Sequence, residues 1–339
     1  MLRFFYVDID TSVNLYDGLN LVMKGVLPMN TGFPKDNRHA GDSYAAGNSK
    51  SVTLIGLGPM GQAMARVLLD RGYAVTLWNR TPGKVEELVR QGAVRAETVD
   101  GALDANELTI LSLTDYDVMY AIFEPAIERL AGKTIVNLSS DTPANARKAA
   151  EWLADRGARL VTGGVQVPPS GIGQSGSYTY YSGPREAFEA YQETLEVLTG
   201  TDYRGEDPGL SMVYYQIQMD MFWTSMLSYL HALALADANG ISAEQLLPYA
   251  SATLSSLPGF IAFYTPRLDE RLHPGDVDRL AMGVASVQHV VHTAEDAGID
   301  TALPAAVLQI FRQGMDQGYA GNSFTSLIET FKAAKVRNT

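Results

Sequence analysis

From Ser51 onward, short apolar segments alternate with segments of helical periodicity. The strand SVTLI is followed by a glycine-rich turn and then by PMGQAMARVLLDRG, which predicts a helix that ends at Gly72. AVTLW, ELTILSL, KTIVNL and ARLVTGG predict further strands, GKVEELVRQG and PANARKAAEWLADRG predict helices, and SYTYYSG is a candidate for one more strand. Such alternation predicts an α/β Rossmann domain over residues 51–206, with a doubly wound parallel sheet and right-handed crossovers.

A second pattern begins at Leu210, because 210–239 contains neither glycine nor proline and is rich in large apolar residues. It predicts one long interdomain helix of about 45 Å. Its length would suit a membrane span. Gln216, Gln218, Asp220 and His231 interrupt the apolar run, however, and basic flanking residues are lacking. We therefore expect no membrane span, but a helix buried on all sides, partly against a second subunit.

The remaining segments, which begin near Ala243, Pro258, Asp276, Ala305 and Phe324, predict helices separated by glycine or proline. Residues 207–339 should thus form an all-α domain for dimerisation and substrate binding. Residues 1–50 differ from the rest, because a short apolar stretch is followed by a polar, glycine-rich run. This composition predicts an N-terminal extension that is a linker or tail rather than a folded domain.

Composition and charge narrow the function classes. Hydrophobic residues make up 46% of the chain and charged residues 19%, which is typical of a globular protein. The net charge of −12 disfavours nucleic acid and anionic membranes as partners. The absence of cysteine excludes thiol chemistry and suits a reducing, cytoplasmic environment. The five histidines form no HExxH motif, and we expect no structural metal.

A glycine-rich motif, GLGPMG, lies after the first predicted strand and at the start of a helix. Such a turn lets a pyrophosphate approach the backbone, and the helix N-terminus offers free N–H groups to the anion. We expect the whole motif to bind a dinucleotide, through Gly56, Leu57, Gly58, Pro59, Met60 and Gly61.

The end of the second strand discriminates between the two nicotinamide cofactors. NAD-binding proteins usually have an acidic residue there, whereas this chain has Asn79, Arg80 and Thr81, with Lys84 one turn further on. Arginine can pair with a 2′-phosphate, so the sequence predicts NADPH as the cofactor. The alternative is that Arg80 and Lys84 are ordinary surface charges.

The other strand ends supply further candidates, since ligands of a doubly wound sheet bind beyond the carboxyl ends of its strands. These candidates come from the segments LSLTDYD, VNLSS and VTGGVQVPPSGIG. Leu113, Thr114 and Asn137 are assigned to the cofactor, and Asp115, Val167 and Ile172 to the substrate pocket. Asp115 is equally well explained as a helix N-cap.

Five motifs together resemble the imine reductase family, which belongs to the wider β-hydroxyacid dehydrogenase group: GLGPMG, WNRT, NLSSDTP, GGVQVPPSGIG and GLSMVYYQIQMDMFW. The resemblance extends from Ser51 to the C-terminus and implies NADPH-dependent reduction of C=N bonds. Hydroxyacid dehydrogenases of this group carry a lysine early in the long helix, where imine reductases have aspartate or tyrosine. The matching residue here is Tyr215, and no lysine occurs between Lys148 and Lys332.

The resemblance implies that Tyr215 is catalytic, and at neutral pH a phenol would donate or orient a proton rather than act as a base. The alternative is a tyrosine that only packs in the core. Trp223, about two turns further along the same face, resembles an aromatic residue of the family's pocket, although it could equally be a core residue. Met219 on the same helix is a further pocket candidate.

The resemblance also implies a homodimer whose subunits complete each other's active sites. The partner would then contribute Phe260, Gln288 and His292 to the pocket, although each of these residues also has a structural explanation. The expected reaction is hydride transfer from NADPH to an imine, with condensation of a ketone and an amine in the same site as a further option. The alternatives are a β-hydroxyacid dehydrogenase-like carbonyl reductase and a non-catalytic NADPH-binding protein.

Overall fold

The computed structural model describes residues 50–333 except Pro82 and Lys84, so the expectation for the N-terminal extension lies outside the described residues. The described residues divide into two compact units, one ending at Gln218 and the other beginning at Met219.

The first unit is built on one eight-stranded sheet. Its strands are β1 (Ser51–Ile55), β2 (Ala74–Trp78), β3 (Val94–Arg95), β4 (Leu108–Leu111), β5 (Thr134–Asn137), β6 (Arg159–Val165), β7 (Tyr178–Ser182) and β8 (Gly200–Tyr203). The spatial order is β3-β2-β1-β4-β5-β6-β7-β8. All neighbouring pairs are parallel except β6 and β7, which run antiparallel. The predicted Rossmann class is therefore confirmed, with an antiparallel pair added near one edge.

Helices cover both faces of this sheet, as the alternation predicts. They are α1 (Pro59–Asp70), α2 (Glu86–Arg90), α3 (Val99–Ala105), α4 (Tyr116–Phe123), α5 (Pro143–Ala154) and α6 (Arg185–Leu198). One core contains side chains of α1, α2 and α6, and the other contains side chains of α3, α4 and α5. In β1, Leu54 points into the first core and Ile55 into the second. A strand buried on both faces explains the continuous apolar run in the sequence.

The long helix, α7 (Leu210–Ala238), is observed as one element, as predicted. In a single chain it is not buried on all sides, because Met221, Phe222 and Trp223 are 50–61% exposed. Its first two turns, up to Gln218, belong to the first unit, where Ser211 and Met212 are fully buried.

The second unit is helical in its described residues. It contains α8 (Ala243–Asp269), α9 (Leu280–Asp296), α10 (Ala302–Asp316) and α11 (Leu327–Ala333). The predicted helix start at Pro258 is wrong, since α8 continues through Pro248, Pro258 and Pro266. Each proline removes one main-chain hydrogen bond, and the bonds on either side maintain the helix. Among the described residues, α8 alone is long and apolar enough to cross a membrane by length and composition.

Candidate active site

A cavity of about 770 Å³ lies at the carboxyl ends of β1, β2, β4, β5 and β6. This volume is within the range of pockets that bind small molecules and cofactors. Twelve residues that the sequence analysis selected line it together: Gly56, Leu57, Gly58, Pro59, Met60, Asn79, Arg80, Thr81, Leu113, Thr114, Val167 and Tyr215. Its wall also includes residues that the sequence did not single out, among them Val99, Ser112, Val118, Ile122, Gly163 and Gly164.

The three glycines of the turn have different physical reasons to be glycine. Gly56 has φ +96°, and a β-carbon there would lie 2.3 Å from the Ser112 carbonyl oxygen. A β-carbon on Gly61 would lie 2.0 Å from the Gly56 carbonyl oxygen. Both glycines are thus required by the protein's own backbone, and Gly61 does not line the cavity.

Gly58 is not required by the protein itself. Its φ of −66° and ψ of −179° suit any residue, and a β-carbon would meet no atom within 4 Å. The free space belongs to the cavity at the N-terminus of α1, where unpaired N–H groups favour an anion. Since no protein atom of the described residues requires glycine at this position, we expect the reason for glycine to be a ligand in the cavity. A pyrophosphate that approaches the backbone closely fits this requirement.

The end of β2 joins the glycine turn through Asn79. The Leu57 N–H donates to Asn79 Oδ1 at 2.9 Å, and Asn79 Nδ2 donates to the Thr81 carbonyl oxygen at 2.8 Å. Arg80 is exposed and makes no ion pair or hydrogen bond with another described residue. A neutral amide and a free guanidinium at this position fit a 2′-phosphate, whereas Lys84 lies outside the described residues.

Asn137 and Asp115 contact the protein rather than the cavity. Asn137 is fully buried; its Oδ1 accepts from the Ser139 N–H at 2.9 Å, and the Ser139 hydroxyl accepts from the Leu113 N–H at 2.9 Å. Asn137 therefore holds the loop that carries Leu113, and its direct contact with the cofactor stays a prediction. Asp115 caps α4, accepting from the Val118 N–H at 2.9 Å, which favours the capping alternative.

Ile172 is also absent from the cavity, because it is 4% exposed within the core that contains α1 and α6. Its side chain packs in this core instead, so its assignment to the substrate pocket stays a prediction that the cavity does not support. Val167, which was predicted for the substrate pocket together with Ile172, does line the cavity.

Asp141 links two loops that border the cavity, and sequence reasoning missed this. Its carboxylate accepts from the Tyr116 N–H at 3.2 Å and from Asn145 Nδ2 at 2.8 Å. Its carbonyl oxygen accepts from Gln216 Nε2 at 3.0 Å. Burial, and to a smaller extent the Asp141 charge, raise the pKa of the Tyr116 phenol well above its usual value.

Tyr215 reaches the cavity from the second turn of α7. The helix lies close to β6 at Gly164, where a β-carbon would come within 2.8 Å of Tyr215 Cβ. Within the described part of the chain, the Tyr215 hydroxyl has no hydrogen-bond partner, and it is not completely buried. An available phenol therefore borders the same cavity as the glycine turn.

The other predicted pocket residues belong to the second unit. Trp223 is 61% exposed and makes an edge-to-face contact with Phe222, and Phe260 is 58% exposed. Gln288 Nε2 lies 2.8 Å from His292 Nε2, and Arg312 donates to Gln288 Oε1. Met219 is half-buried. Their assignment to a substrate pocket stays a prediction.

Comparisons with known proteins agree with this architecture. Residues 51–205 match the family model described as the NAD binding domain of 6-phosphogluconate dehydrogenase. Residues 207–333 match the model described as NADPH-dependent reductive aminase-like, C-terminal domain. An NADPH-dependent reductive aminase of Aspergillus oryzae is 31% identical over 291 residues, which cover 85% of this chain and 99% of that protein.

Two solved structures extend the match. An imine reductase from Bacillus cereus BAG3X2 is 73% identical, with a TM-score of 0.78 over 83% of this chain and 99% of that one. A reductive aminase from Aspergillus terreus, in complex with NADPH and ethyl-5-oxohexanoate, is 29% identical, with a TM-score of 0.79 over 83% of this chain and 99% of that one. The chain therefore belongs to the imine reductase family, NADPH-dependent oxidoreductases of the β-hydroxyacid dehydrogenase-like superfamily.

Proposed function

We propose that this protein reduces the C=N bond of an imine to an amine, with NADPH as cofactor and Tyr215 as the residue that manages the proton. The observation that carries the proposal is a free phenol in the same cavity as the glycine turn, in a helix without lysine. NADPH, when bound, supplies the hydride that the imine carbon accepts.

The cofactor would be held by groups of the first unit. The glycine turn and the N-terminus of α1 would bind the pyrophosphate, and Arg80 would pair with the 2′-phosphate. Leu113 and Thr114, which line the same cavity, would also contact the cofactor. Asn79 would act indirectly, since both of its hydrogen bonds go to the backbone of the cofactor loops.

Tyr215 would donate a proton to the imine nitrogen, or orient a proton that the nitrogen already carries. A protonated C=N bond has an electrophilic carbon, so the protein needs little further activation of the substrate. The carbonyl reduction typical of the superfamily instead uses a lysine on the long helix, and none occurs between Lys148 and Lys332. The absence of this lysine favours imine over carbonyl reduction.

The test is steady-state kinetics with NADPH and a cyclic imine, comparing wild type with Tyr215→Phe. We expect kcat to fall about 100-fold or more, as for the loss of a general acid. Tyr214→Phe is the matched control, because it removes a phenol hydroxyl from the adjacent residue, whose ring instead contacts Tyr180. An unchanged kcat of Tyr215→Phe across pH would refute the proton role.

Two other outcomes would replace the proposal. Turnover of hydroxyacids or aldehydes without turnover of imines would indicate a carbonyl reductase. Tight NADPH binding without turnover of any substrate would indicate a non-catalytic binding protein. A ketone and an amine offered together test the further option, that the two substrates condense in the same site before reduction.

We further propose a cytoplasmic homodimer in which Met219, Trp223, Phe260, Gln288 and His292 complete the substrate pockets. The support is the family resemblance and the exposed apolar side chains of α7 and α8, because surfaces of this kind usually bind another protein. Light scattering should give twice the mass of one chain, and Phe260→Asp should shift the protein toward monomer. A monomeric wild type would contradict this proposal.

A further inference from the structure

Three hydroxyl side chains form a closed cluster beneath the first turn of α7. Thr162 on β6, Ser182 on β7 and Ser211 on α7 are each 0% exposed. Thr162 Oγ1 lies 2.7 Å from Ser211 Oγ, 2.9 Å from Ser182 Oγ and 2.7 Å from the Pro208 carbonyl oxygen. We refer to these three residues as the hydroxyl cluster.

Thr162 Oγ1 also lies 3.2 Å from the Ser182 carbonyl oxygen, and Ser182 Oγ lies 3.2 Å from the Pro208 carbonyl oxygen. Several assignments of protons therefore fit the cluster, and the one that uses the shortest distances satisfies every hydroxyl. Thr162 donates to the Pro208 carbonyl oxygen, and the Ser182 and Ser211 hydroxyls both donate to Thr162 Oγ1. The Ser211 N–H then donates to Ser182 Oγ at 2.9 Å. Because each hydroxyl has one proton and two lone pairs, Thr162 is saturated, and the position of Ser211 is defined by bonds from two strands.

The cluster lies one helical turn from Tyr215. Ser211 and Tyr215 are four residues apart, so they lie about 6 Å apart along the helix axis on the same face. On β6, Thr162 and Gly164 are two residues apart, and alternate residues of a strand lie on the same face of the sheet. Both residues of β6 therefore face α7. Ser211 therefore lies over Thr162 as Tyr215 lies over Gly164.

The contact at Gly164 cannot determine the position of Tyr215 along the helix axis. Gly164 has no side chain and its contact with Tyr215 Cβ is apolar. A contact of this kind is not directional, so by itself it does not fix the helix along its axis. The bonds of the hydroxyl cluster are directional and buried, so a displacement of the helix would leave polar groups unpaired. The bonds of Ser211 thus limit where the Tyr215 hydroxyl can lie.

We infer that the hydroxyl cluster is a positioning device, in which Thr162 fixes the first turn of α7 and thereby the place of the Tyr215 hydroxyl in the cavity. The inference rests on the proposed proton role of Tyr215. The cluster does not line the cavity, so its members act through the helix rather than by touching the substrate.

The experiment is a double-mutant cycle between Thr162→Val and Tyr215→Phe, measured as kcat for a cyclic imine. Thr162→Val keeps the shape and removes the hydroxyl, and kcat should fall about 10- to 100-fold, as expected for a misplaced catalytic group. In the Tyr215→Phe background the same change should cause no further loss. NADPH affinity, measured by fluorescence titration, should remain that of wild type, and Thr162→Ser should restore kcat.

Thr179→Val is the control for a general loss of stability. Thr179 is on β7 and 1% exposed, and its hydroxyl lies 2.7 Å from Thr199 Oγ1; within residues 50–333 its side chain forms no hydrogen bond with α7. It should lower the melting temperature without lowering kcat. If Thr162→Val does not fold, Ser211→Ala replaces it in the cycle, because it removes one hydroxyl and keeps the Thr162 bond to Pro208.

The outcomes separate the two claims. If Tyr215→Phe lowers kcat but Thr162→Val does not, or if the two losses add in full, the positioning inference is wrong and the proposed function stands. A loss in Thr179→Val as large as that in Thr162→Val also overturns it. If Tyr215→Phe has the kcat of wild type, the proton role is wrong and the inference fails with it.

Discussion

Gly164 and Tyr215 are in direct contact, with no side chain between the strand and the helix. A β-carbon on Gly164 would lie 2.8 Å from Tyr215 Cβ and 3.0 Å from the Ser211 carbonyl oxygen. Both neighbours are close to the helix backbone and cannot rotate away. The absence of a side chain at residue 164 is therefore a condition for the observed position of Tyr215.

We predict that Gly164→Ala displaces Tyr215 and impairs the imine reductase activity. Overpacking of this kind costs about 1–3 kcal/mol, and the helix must move to relieve it. The expected result is a clear loss of kcat, with NADPH affinity retained because the glycine turn is unaffected. Kinetics and NADPH titration measure the two effects. Gly321→Ala is the control, since a β-carbon there meets no atom within 4 Å, and an unimpaired Gly164→Ala would show that the contact is dispensable.

The first half of the sheet could be predicted from the sequence because its signals are local. The predicted strands SVTLI and AVTLW correspond to β1 and β2, and Pro59 begins α1. By contrast, β8 is the segment GTDY, in which Thr and Tyr favour a strand but Gly and Asp disfavour one, and it becomes a strand through its pairing with β7. The antiparallel direction of β7 is likewise set by packing, and periodicity contains no information about it.

The site residues also divide into those that local sequence signals predict and those that only the tertiary structure reveals. The glycine turn and Asn79 follow strand ends, so their place beside the cavity could be predicted. Val118 and Ile122 are apolar residues of α4 that look like ordinary core residues, and only the tertiary structure brings them to the cavity. Ile172 illustrates the converse case, because it follows a strand end in the sequence but its side chain packs in the core rather than along the cavity.

The glycine turn predicts a contrast between two substitutions. Gly58→Ala should fold with the melting temperature of wild type, because its backbone angles are ordinary and a β-carbon has free space. It should weaken NADPH binding about tenfold or more, since the new methyl would occupy the place of the pyrophosphate. Gly56→Ala should instead lower the melting temperature, because of its positive φ and the nearby Ser112 carbonyl oxygen. Unchanged NADPH affinity in Gly58→Ala would contradict this account of the turn.

We predict that Arg80 gives the protein its preference for NADPH over NADH. Arg80→Ala should weaken NADPH binding by about 1.5–3 kcal/mol, or roughly 10- to 150-fold, as expected for loss of a charged hydrogen bond. Binding of NADH should change little, because it lacks the 2′-phosphate. Isothermal titration with both cofactors measures the difference. Arg66→Ala is the control, since Arg66 is a partly exposed arginine of α1 that does not line the cavity. Equal losses for NADPH and NADH would place Arg80 elsewhere than at the 2′-phosphate.

The ion pair of Asp207 with Arg147, just before α7, should make the free energy of unfolding depend on pH. Its carboxylate accepts hydrogen bonds from Arg147 Nε at 2.8 Å, from Arg147 Nη2 at 2.7 Å and from the Gly209 N–H at 2.9 Å. The hydrogen bonds from Arg147 hold the pKa of this carboxyl below its usual value.

A carboxyl whose pKa is lower in the folded state stabilises the fold at pH values above its unfolded pKa, about 3.9, and loses this effect as the pH falls below it. The stability difference between wild type and Asp207→Asn should therefore be constant near neutral pH and shrink as the pH falls below about 4. Urea unfolding at a series of pH values measures it. Glu189→Gln, which removes a surface ion pair with Arg185, is the control. A difference that stays constant or grows in acid would show that the Arg147 pair does not stabilise the helix start.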